Sequence, residues 1–154
     1  MNGGIPSHVL ALTALPGGFI ASLGLAGVAG EPLLPGGLAE MRDFGRIARC
    51  HAPALDVPAA TTLDVAVDGP IIWLATYEGI VRITGDDPEL LVRGVEIPAP
   101  APTAIAGDGQ GGVWVGTWGG GAWHLADGLI DAYTIGAAGD VRVETTRSGA
   151  GRAP

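Results

Sequence analysis

An internal repeat of about forty residues is the feature that most constrains how this 154-residue chain can fold. The segment Leu63–Ile83 aligns with the segment Thr103–Leu125. Three residue pairs share one offset of 41 positions: Trp73 with Trp114, Thr76 with Thr117, and Tyr77 with Trp118. A unit that recurs at this spacing is typical of repeat architectures, in which each copy buries its apolar side against a neighbouring copy.

A weaker copy precedes these two. The segments Val9–Ala14 and Gly18–Ser22 repeat the pattern around Trp73, with Phe19 in the place of the tryptophan. The 54 residues from Phe19 to Trp73 exceed the repeat length, so we expect an insertion, which we place in Glu31–Cys50.

Two further segments complete the chain. The inserted segment Glu31–Cys50 is the one part of the chain with some helical character, at Leu38–Arg42. Val141–Thr146 alternates like the first segment of each repeat, which indicates a fourth copy that begins and does not finish. Ser148–Pro154 is predicted to be a frayed tail.

Within each repeat the apolar residues recur with a period of two, which predicts β-strands. The 27 glycines and 12 prolines oppose long helices, because both residue types are costly inside a helix. The predicted strands of the two clearer copies are Leu63–Asp68, Ile71–Thr76, Ile80–Thr84 and Leu90–Val95, then Val113–Thr117, Ala122–Leu125 and Leu129–Thr134. Turn-forming pairs such as Asp68-Gly69 separate them.

Four short antiparallel strands in about 40 residues are typical of one blade of a β-propeller. We therefore predict a single all-β domain with about three blades and one additional strand. The expected boundaries are 7–52, 61–97 and 102–136 for the repeats, 139–147 for the additional strand and 148–154 for the tail. We expect the repeated Trp to pack between sheets and the repeated Thr to bond a turn.

The motif Ile-x-x-Asp-x-x-Gly-x-Trp-Val-Gly-Thr-x-x-Gly-Gly resembles the two-component regulator propeller repeat. Ile105–Tyr133 matches it closely and Leu63–Ile83 matches it well. In that family such repeats build propellers in the extracytoplasmic sensing part of bacterial hybrid histidine kinases. The resemblance implies a propeller fold and a sensing or ligand-binding role in signalling. No kinase, receiver or DNA-binding segment accompanies the repeats. Streptogramin lyases and sugar lactonases have propellers that resemble these repeats, so the resemblance also leaves an enzymatic function open.

Charge and composition exclude other functions. Sixteen acidic residues against eight arginines give a net charge of −8, so no basic face is expected for nucleic acid. Val9–Ala29 is almost uncharged, yet Pro16-Gly17-Gly18 interrupts it and no Lys or Arg precedes it, so we expect neither a signal peptide nor membrane insertion. The single cysteine, Cys50, indicates no internal disulfide.

No motif indicates a metal, a cofactor or a catalytic residue. His8, His51 and His124 lie far apart without ligand spacing. The glycines of Gly107–Gly112 lack the lysine and the following helix of a phosphate loop. Asp68 and its counterpart Asp108 are interpreted as turn formers rather than as a pair of catalytic carboxylates.

Candidate ligand-binding residues lie in the turns between the second and third strands. These turns carry Tyr77, Glu78 and Trp118, and the Pro-rich connections Pro53–Ala60 and Pro98–Pro102 are expected beside them. Two aromatic side chains and one acid suit a small molecule, a sugar or a peptide. The alternative, which the sequence favours, is that the two aromatic rings cover the interface between blades.

Three functions follow as hypotheses. The first is a non-enzymatic ligand- or partner-binding propeller module, the second a propeller-based lyase or hydrolase, and the third a purely structural self-assembling repeat protein. Three blades are too few for a closed ring, so we expect a homo-oligomer or part of a longer chain. The alternative is a small, strained closure in which Val141–Thr145 pairs with the first blade. A complete chain would be cytoplasmic, and a piece of a sensor would be periplasmic or extracellular.

Overall fold

The computed structural model describes residues 9–23, 37–42, 46–50, 62–85 and 87–147. These residues form thirteen β-strands and no helix. The strands make three antiparallel sheets that follow one another along the chain, and within each sheet the strands pair in sequence order. The prediction of an all-β fold is therefore confirmed.

The N-terminal sheet contains β1 (Val9–Leu15), β2 (Gly18–Leu23), β3 (Gly37–Arg42) and β4 (Arg46–Cys50). The central sheet contains β5 (Thr62–Asp68), β6 (Ile71–Thr76), β7 (Gly79–Thr84) and β8 (Asp87–Val92). The C-terminal sheet contains β9 (Pro102–Gly107), β10 (Val113–Thr117), β11 (Ala122–Ala126), β12 (Leu129–Ile135) and β13 (Val141–Arg147).

The first hairpin of each sheet fixes which residues correspond between sheets. Two-residue turns join β1 to β2 and β5 to β6, each with a glycine at positive φ (Gly17 at 76° and Gly69 at 55°). Counting from these turns, the register pairs Thr13 with Ile20, Ala66 with Trp73, and Ala106 with Trp114.

Ile20, and not Phe19, therefore occupies the position of Trp73 in the N-terminal sheet. The sequence alignment was one residue out of register because the first copy carries no tryptophan to anchor it. In a strand, a shift of one residue moves a side chain to the opposite face of the sheet.

Each sheet has two faces, which we name by their residues. The front face carries Ile20 in the N-terminal sheet, Trp73 in the central sheet and Trp114 in the C-terminal sheet. The back face carries Leu12, Leu74 and Val115 in the same three sheets. The front face of the N-terminal sheet packs on the back face of the central sheet through Ala11, Leu15, Ile20, Val65, Leu74, Val81 and Ile83. The front face of the central sheet packs on the back face of the C-terminal sheet through Ala66, Trp73, Ile80, Leu91, Ile105, Val113, Val115, Trp123 and Ile130.

The sheets thus stack front to back, and the central sheet buries both of its faces. The closest approaches of backbone between sheets involve the first strands, since β1 lies beside β5 and β5 lies beside β9. The first strand of each sheet is therefore the inner strand of the stack.

Side-chain to backbone hydrogen bonds also join successive sheets. The Thr13 hydroxyl donates to the Val65 carbonyl at 2.6 Å. The Ile105 amide donates to Oδ2 of Asp64 at 2.9 Å, across a sequence separation of 41 residues. Oδ2 of Asp68 accepts from the amides of Gly109 (2.9 Å) and Gly111 (3.1 Å). Asp68 therefore stabilises the turn of the next sheet, whereas the sequence suggested a turn former within its own sheet.

Three local predictions need correction. The segment Leu38–Arg42 lies in β3, paired with β2 and β4, because strand pairing outweighs the weak helical preference of five residues. The strand predicted at Leu90–Val95 begins earlier, at Asp87, and Pro88 pairs with Ile83 in β8. Pro88 fits there because β8 is the last strand of its sheet and tolerates a residue without an N–H on its edge.

The strand over Val141–Thr146 does not begin a fourth sheet. Instead, β13 pairs along its whole length with β12 and becomes the fifth strand of the C-terminal sheet. A tight turn explains this pairing, because the Gly136 amide donates to the Asp140 carbonyl at 2.7 Å and Gly139 has a positive φ of 81°. The uncharged segment from Val9 forms the hairpin of β1 and β2, and no described helix is long and apolar enough to cross a membrane.

Candidate functional site

The turns β6–β7 and β10–β11 project from the same end of the sheets, which we call the loop end. Each turn is closed by the repeated threonine, as the sequence predicted. The Thr76 hydroxyl donates to the Gly79 carbonyl at 3.0 Å, and the Thr117 hydroxyl donates to the Gly121 carbonyl at 2.8 Å. The turns therefore present the residue after each threonine, Tyr77 or Trp118, in equivalent positions.

The connection from β8 to β9, residues 93–101, lies between the two turns. The Arg93 amide donates to the Glu78 carbonyl at 3.0 Å, and the Trp118 amide donates to the Ala101 carbonyl at 3.0 Å. Both aromatic turns are thus fixed to one connection, which includes part of the predicted segment Pro98–Pro102. The other predicted connection, Pro53–Ala60, lies outside the described residues.

The two aromatic side chains of the loop end are exposed. Tyr77 is 53% exposed and Trp118 is 81% exposed. Glu78, between Tyr77 and β7, is also exposed. These fractions place neither ring in the packed interface between sheets, in contrast to the alternative favoured from the sequence.

The interface between sheets is filled by other tryptophans. Trp73 is 1% exposed in the core between the central and C-terminal sheets, as its repeat position predicted. Trp114 occupies the same repeat position but is 41% exposed, because no described sheet covers the front face of the C-terminal sheet. Trp123, which the sequence did not single out, is 1% exposed and packs in the same core as Trp73.

A polar cluster that the sequence did not predict lies beside Trp114. Nε2 of His124 donates to Oδ2 of Asp108 at 2.8 Å, and the Trp114 ring stacks on the imidazole with centroids 4.4 Å apart. A pocket of about 360 Å³ opens here, lined by Trp114, His124, Asp108 and the β9–β10 turn. His124 and Asp108 are 16 residues apart, so only the pairing of the strands shows that they meet.

Asp108 holds its own turn as well, as the sequence predicted. Its Oδ1 accepts hydrogen bonds from the amides of Gln110 (2.7 Å) and Gly112 (2.9 Å). The hydrogen bond from His124, together with these two amides, lowers the pKa of Asp108 below its ordinary value. The group is therefore held as a carboxylate at neutral pH.

The remaining histidines, His8 and His51, lie outside the described residues. Among the residues that the structure does describe, no three His, Cys, Asp or Glu side chains cluster in a way that could hold a metal ion. The described part of the chain therefore contributes two candidate regions, the loop end and the pocket beside Trp114.

Comparison with solved structures finds a similar fold in a designed protein. The computationally designed Ika4 protein, known from its crystal structure, superposes with a TM-score of 0.58, and the match covers 92% of this chain and 93% of that chain. Their sequence identity is 14%, so the similarity concerns the fold alone. No protein-family model and no curated protein sequence matches this chain.

Proposed function

We propose that this chain is a non-enzymatic binding module of the β-propeller type, and that its loop end binds a neutral oligosaccharide. Three antiparallel sheets stacked around their first strands support the propeller architecture. The resemblance of the repeats to the two-component regulator propeller repeat supports a sensing role. The three sheets of the described residues are fewer than the roughly four to eight blades of closed propellers, so a second copy or a longer chain would complete the ring.

One observation carries the binding proposal. Two equivalent turns, fixed to the same connection, each expose an aromatic ring, Tyr77 and Trp118. Each ring sits on a turn that is anchored by a threonine, so little conformational freedom would be lost on binding. Rigid aromatic anchors of this kind are the usual centres of binding surfaces.

The chemistry of the loop end favours a neutral sugar. Aromatic rings offer flat apolar surface to the C–H faces of a pyranose, and the carboxylate of Glu78 accepts hydrogen bonds from hydroxyl groups. A net charge of −8 disfavours anionic ligands, since like charges repel at long range.

Isothermal titration with cellohexaose, xylohexaose and laminarihexaose tests the proposal. We expect one of these sugars to bind, and Tyr77→Ala and Trp118→Ala each to weaken that binding about tenfold, equivalent to about 1.4 kcal/mol. Both variants should keep the melting temperature of the wild type, because the two side chains are exposed. Val95→Ala serves as a control, since Val95 is 73% exposed in the same connection but is not part of the aromatic pair.

Two results would contradict the proposal. The first is that none of the three sugars binds. If a peptide binds instead, the loop end recognises a protein partner. The other is a large loss of thermal stability in both aromatic variants, which would show that the rings pack rather than bind.

Two other functions are distinguished by the same measurements. A propeller-based lyase or hydrolase is favoured only by the His124–Asp108 hydrogen bond, and turnover lost in His124→Ala would support it. The same variant should leave sugar binding at the loop end unchanged. A purely structural repeat protein would bind none of the sugars and would still assemble.

A further inference from the structure

We propose that a second copy of this chain covers the exposed front face of the C-terminal sheet with the back face of its own N-terminal sheet. Two copies joined in this way at both ends form a closed ring of six sheets. The proposal deepens the propeller part of the proposed function. It does not depend on what binds at the loop end.

The two interfaces inside the chain set the pattern. In both, the front face of one sheet packs on the back face of the next, and the same strand positions meet. Trp73 on a front face is 1% exposed, and Val65 and Ile105 on back faces are 2% and 8% exposed. An interface of this type therefore buries these positions almost completely.

The C-terminal sheet presents an exposed front face of the same kind. Trp114, the counterpart of Trp73, is 41% exposed. On one side it faces small residues, as Trp73 does, because Ala106 and Gly116 replace Ala66 and Ala75. On the other side its ring stacks on His124 and lies 5.5 Å from the Tyr133 ring, centroid to centroid. Exposed apolar side chains also occur on β12 and β13 of this face, at Leu129, Ile135, Val141 and Val143, which are 43%, 80%, 65% and 55% exposed. Several exposed apolar side chains on one sheet face mark an interaction site.

The other end of the stack exposes the complementary half. Leu12 lies on the back face of the N-terminal sheet, at the position of Val65 and Ile105, and is 62% exposed. Ala14 on the same face is also exposed, whereas Ala21, at the position of Leu74, is already buried, so the exposed part of this face lies on β1. One chain thus carries both halves of a front-to-back interface, and they cannot meet within a stack of three sheets.

Symmetry and geometry select two copies. A front face binding a back face is a head-to-tail contact, which gives a ring when the rotation closes and a filament when it does not. The close approach of β1, β5 and β9 on the inner side makes the stack wedge-shaped, which favours closure. Six sheets fall within the range of closed propellers, whereas three copies would bring nine.

Light scattering coupled to size exclusion tests the assembly. We expect twice the chain mass of 15.4 kDa for the wild type at micromolar concentration. Trp114→Glu and Leu12→Glu place a charge in opposite halves of the same contact, and each should weaken association about 30-fold or more. Val143→Glu is a second front-face variant in case Trp114→Glu does not fold. Val95→Glu is the matched control, because Val95 is 73% exposed and belongs to the β8–β9 connection rather than to a strand of either face.

Mixing the variants tests the head-to-tail arrangement. The Trp114→Glu chain keeps an intact back face, and the Leu12→Glu chain keeps an intact front face. An equimolar mixture should therefore recover dimers through one intact contact, although each variant alone is a monomer. A symmetric contact between two Trp114 faces would give no recovery.

Three results would overturn the proposal. They are a folded wild-type chain that stays monomeric at 100 µM, dimers that persist in both charge variants, and a mixture that remains monomeric. Oligosaccharide titration of the same samples keeps the two proposals separate, because a wild-type chain that stays monomeric and still binds sugar would refute only this one.

Discussion

At the scale of single residues, exposure separates tryptophans that the sequence treats alike. Trp73 and Trp123 lie in the core between two sheets, whereas Trp114, at the repeat position of Trp73, is 41% exposed. Nε1 of Trp73 and Nε1 of Trp123 find no hydrogen-bond partner among the described residues. Their contribution to stability therefore comes from packing.

Substitutions of Trp73 should show that contribution. Trp73→Ala should lower the free energy of unfolding by about 3–5 kcal/mol, because it leaves a large cavity between the sheets. Trp73→Phe should cost much less, since it keeps most of the volume and removes a buried N–H without a partner. Urea denaturation measures both, with Trp118→Ala as the exposed control. Equal losses for Trp73→Phe and Trp73→Ala would contradict the packing role.

The Asp108 carboxylate makes the free energy of unfolding depend on pH, in a direction that follows from its lowered pKa. Its pKa is lowered in the folded chain, so the folded state binds protons less readily than the unfolded state, whose pKa is about 3.9. Its stabilising contribution is therefore complete above about pH 5 and is lost as the pH falls through the folded pKa. The difference in unfolding midpoint between the wild type and Asp108→Asn should shrink from pH 5 to pH 2. A difference that grows over this range would contradict the assignment.

At the scale of elements, strand type and turn position followed from the alternation and the glycines, but the bounds of β8 and the partner of β13 did not. The period of two predicted β10, β11 and β12 within one residue of their bounds. The partner of β13 was wrong, because alternation is the same for the inner strand of a new sheet and for an added edge strand. The tight turn at Gly136–Asp140 decides between the two.

The turn between β10 and β11 contains two glycines at positive φ, and substitutions there would show which of them the turn requires. Gly119 and Gly121 have nearly equal positive φ values, 74° and 78°. A Cβ at Gly121 would clash with the Tyr133 carbonyl oxygen, whereas a Cβ at Gly119 meets nothing within 4 Å.

Gly121→Ala should therefore be the more damaging of the two substitutions. Both carry the cost of a left-handed backbone, about 1 kcal/mol, and Gly121→Ala adds a clash that requires β11 and β12 to shift. Thermal melting compares them directly. Equal melting temperatures would show that the strand pairing is looser than the structure indicates.

At the scale of the whole molecule, three sheets are held in order by apolar cores and by hydrogen bonds that cross between sheets. Asp64 is central to the second junction, because it accepts from the Val65 amide in its own strand and from the Ile105 amide in the next sheet, each at 2.9 Å. The stack is therefore specified by directional contacts as well as by apolar area.

Asp64→Ala should loosen one junction and leave the other intact. Two half-buried amides would lose their acceptor, which costs about 1–3 kcal/mol. Hydrogen exchange should accelerate in β9 but not in β2, and Asp64→Asn should show a smaller effect because it keeps one acceptor oxygen. Uniform acceleration in all three sheets would instead indicate a single cooperative unit.

The sequence by itself determined the all-β class, the repeat spacing and the turns that carry Tyr77, Glu78 and Trp118, because alternation and turn chemistry are local properties. It could not determine that Ile20 takes the position of Trp73, that His124 meets Asp108, or that Trp114 and Leu12 remain exposed at opposite ends. Only the tertiary structure decided these points, because register and stacking fix which face of a strand meets another sheet. Trp73 is buried because its sheet has a neighbour on that side, and Trp114 is exposed because no described sheet lies against it.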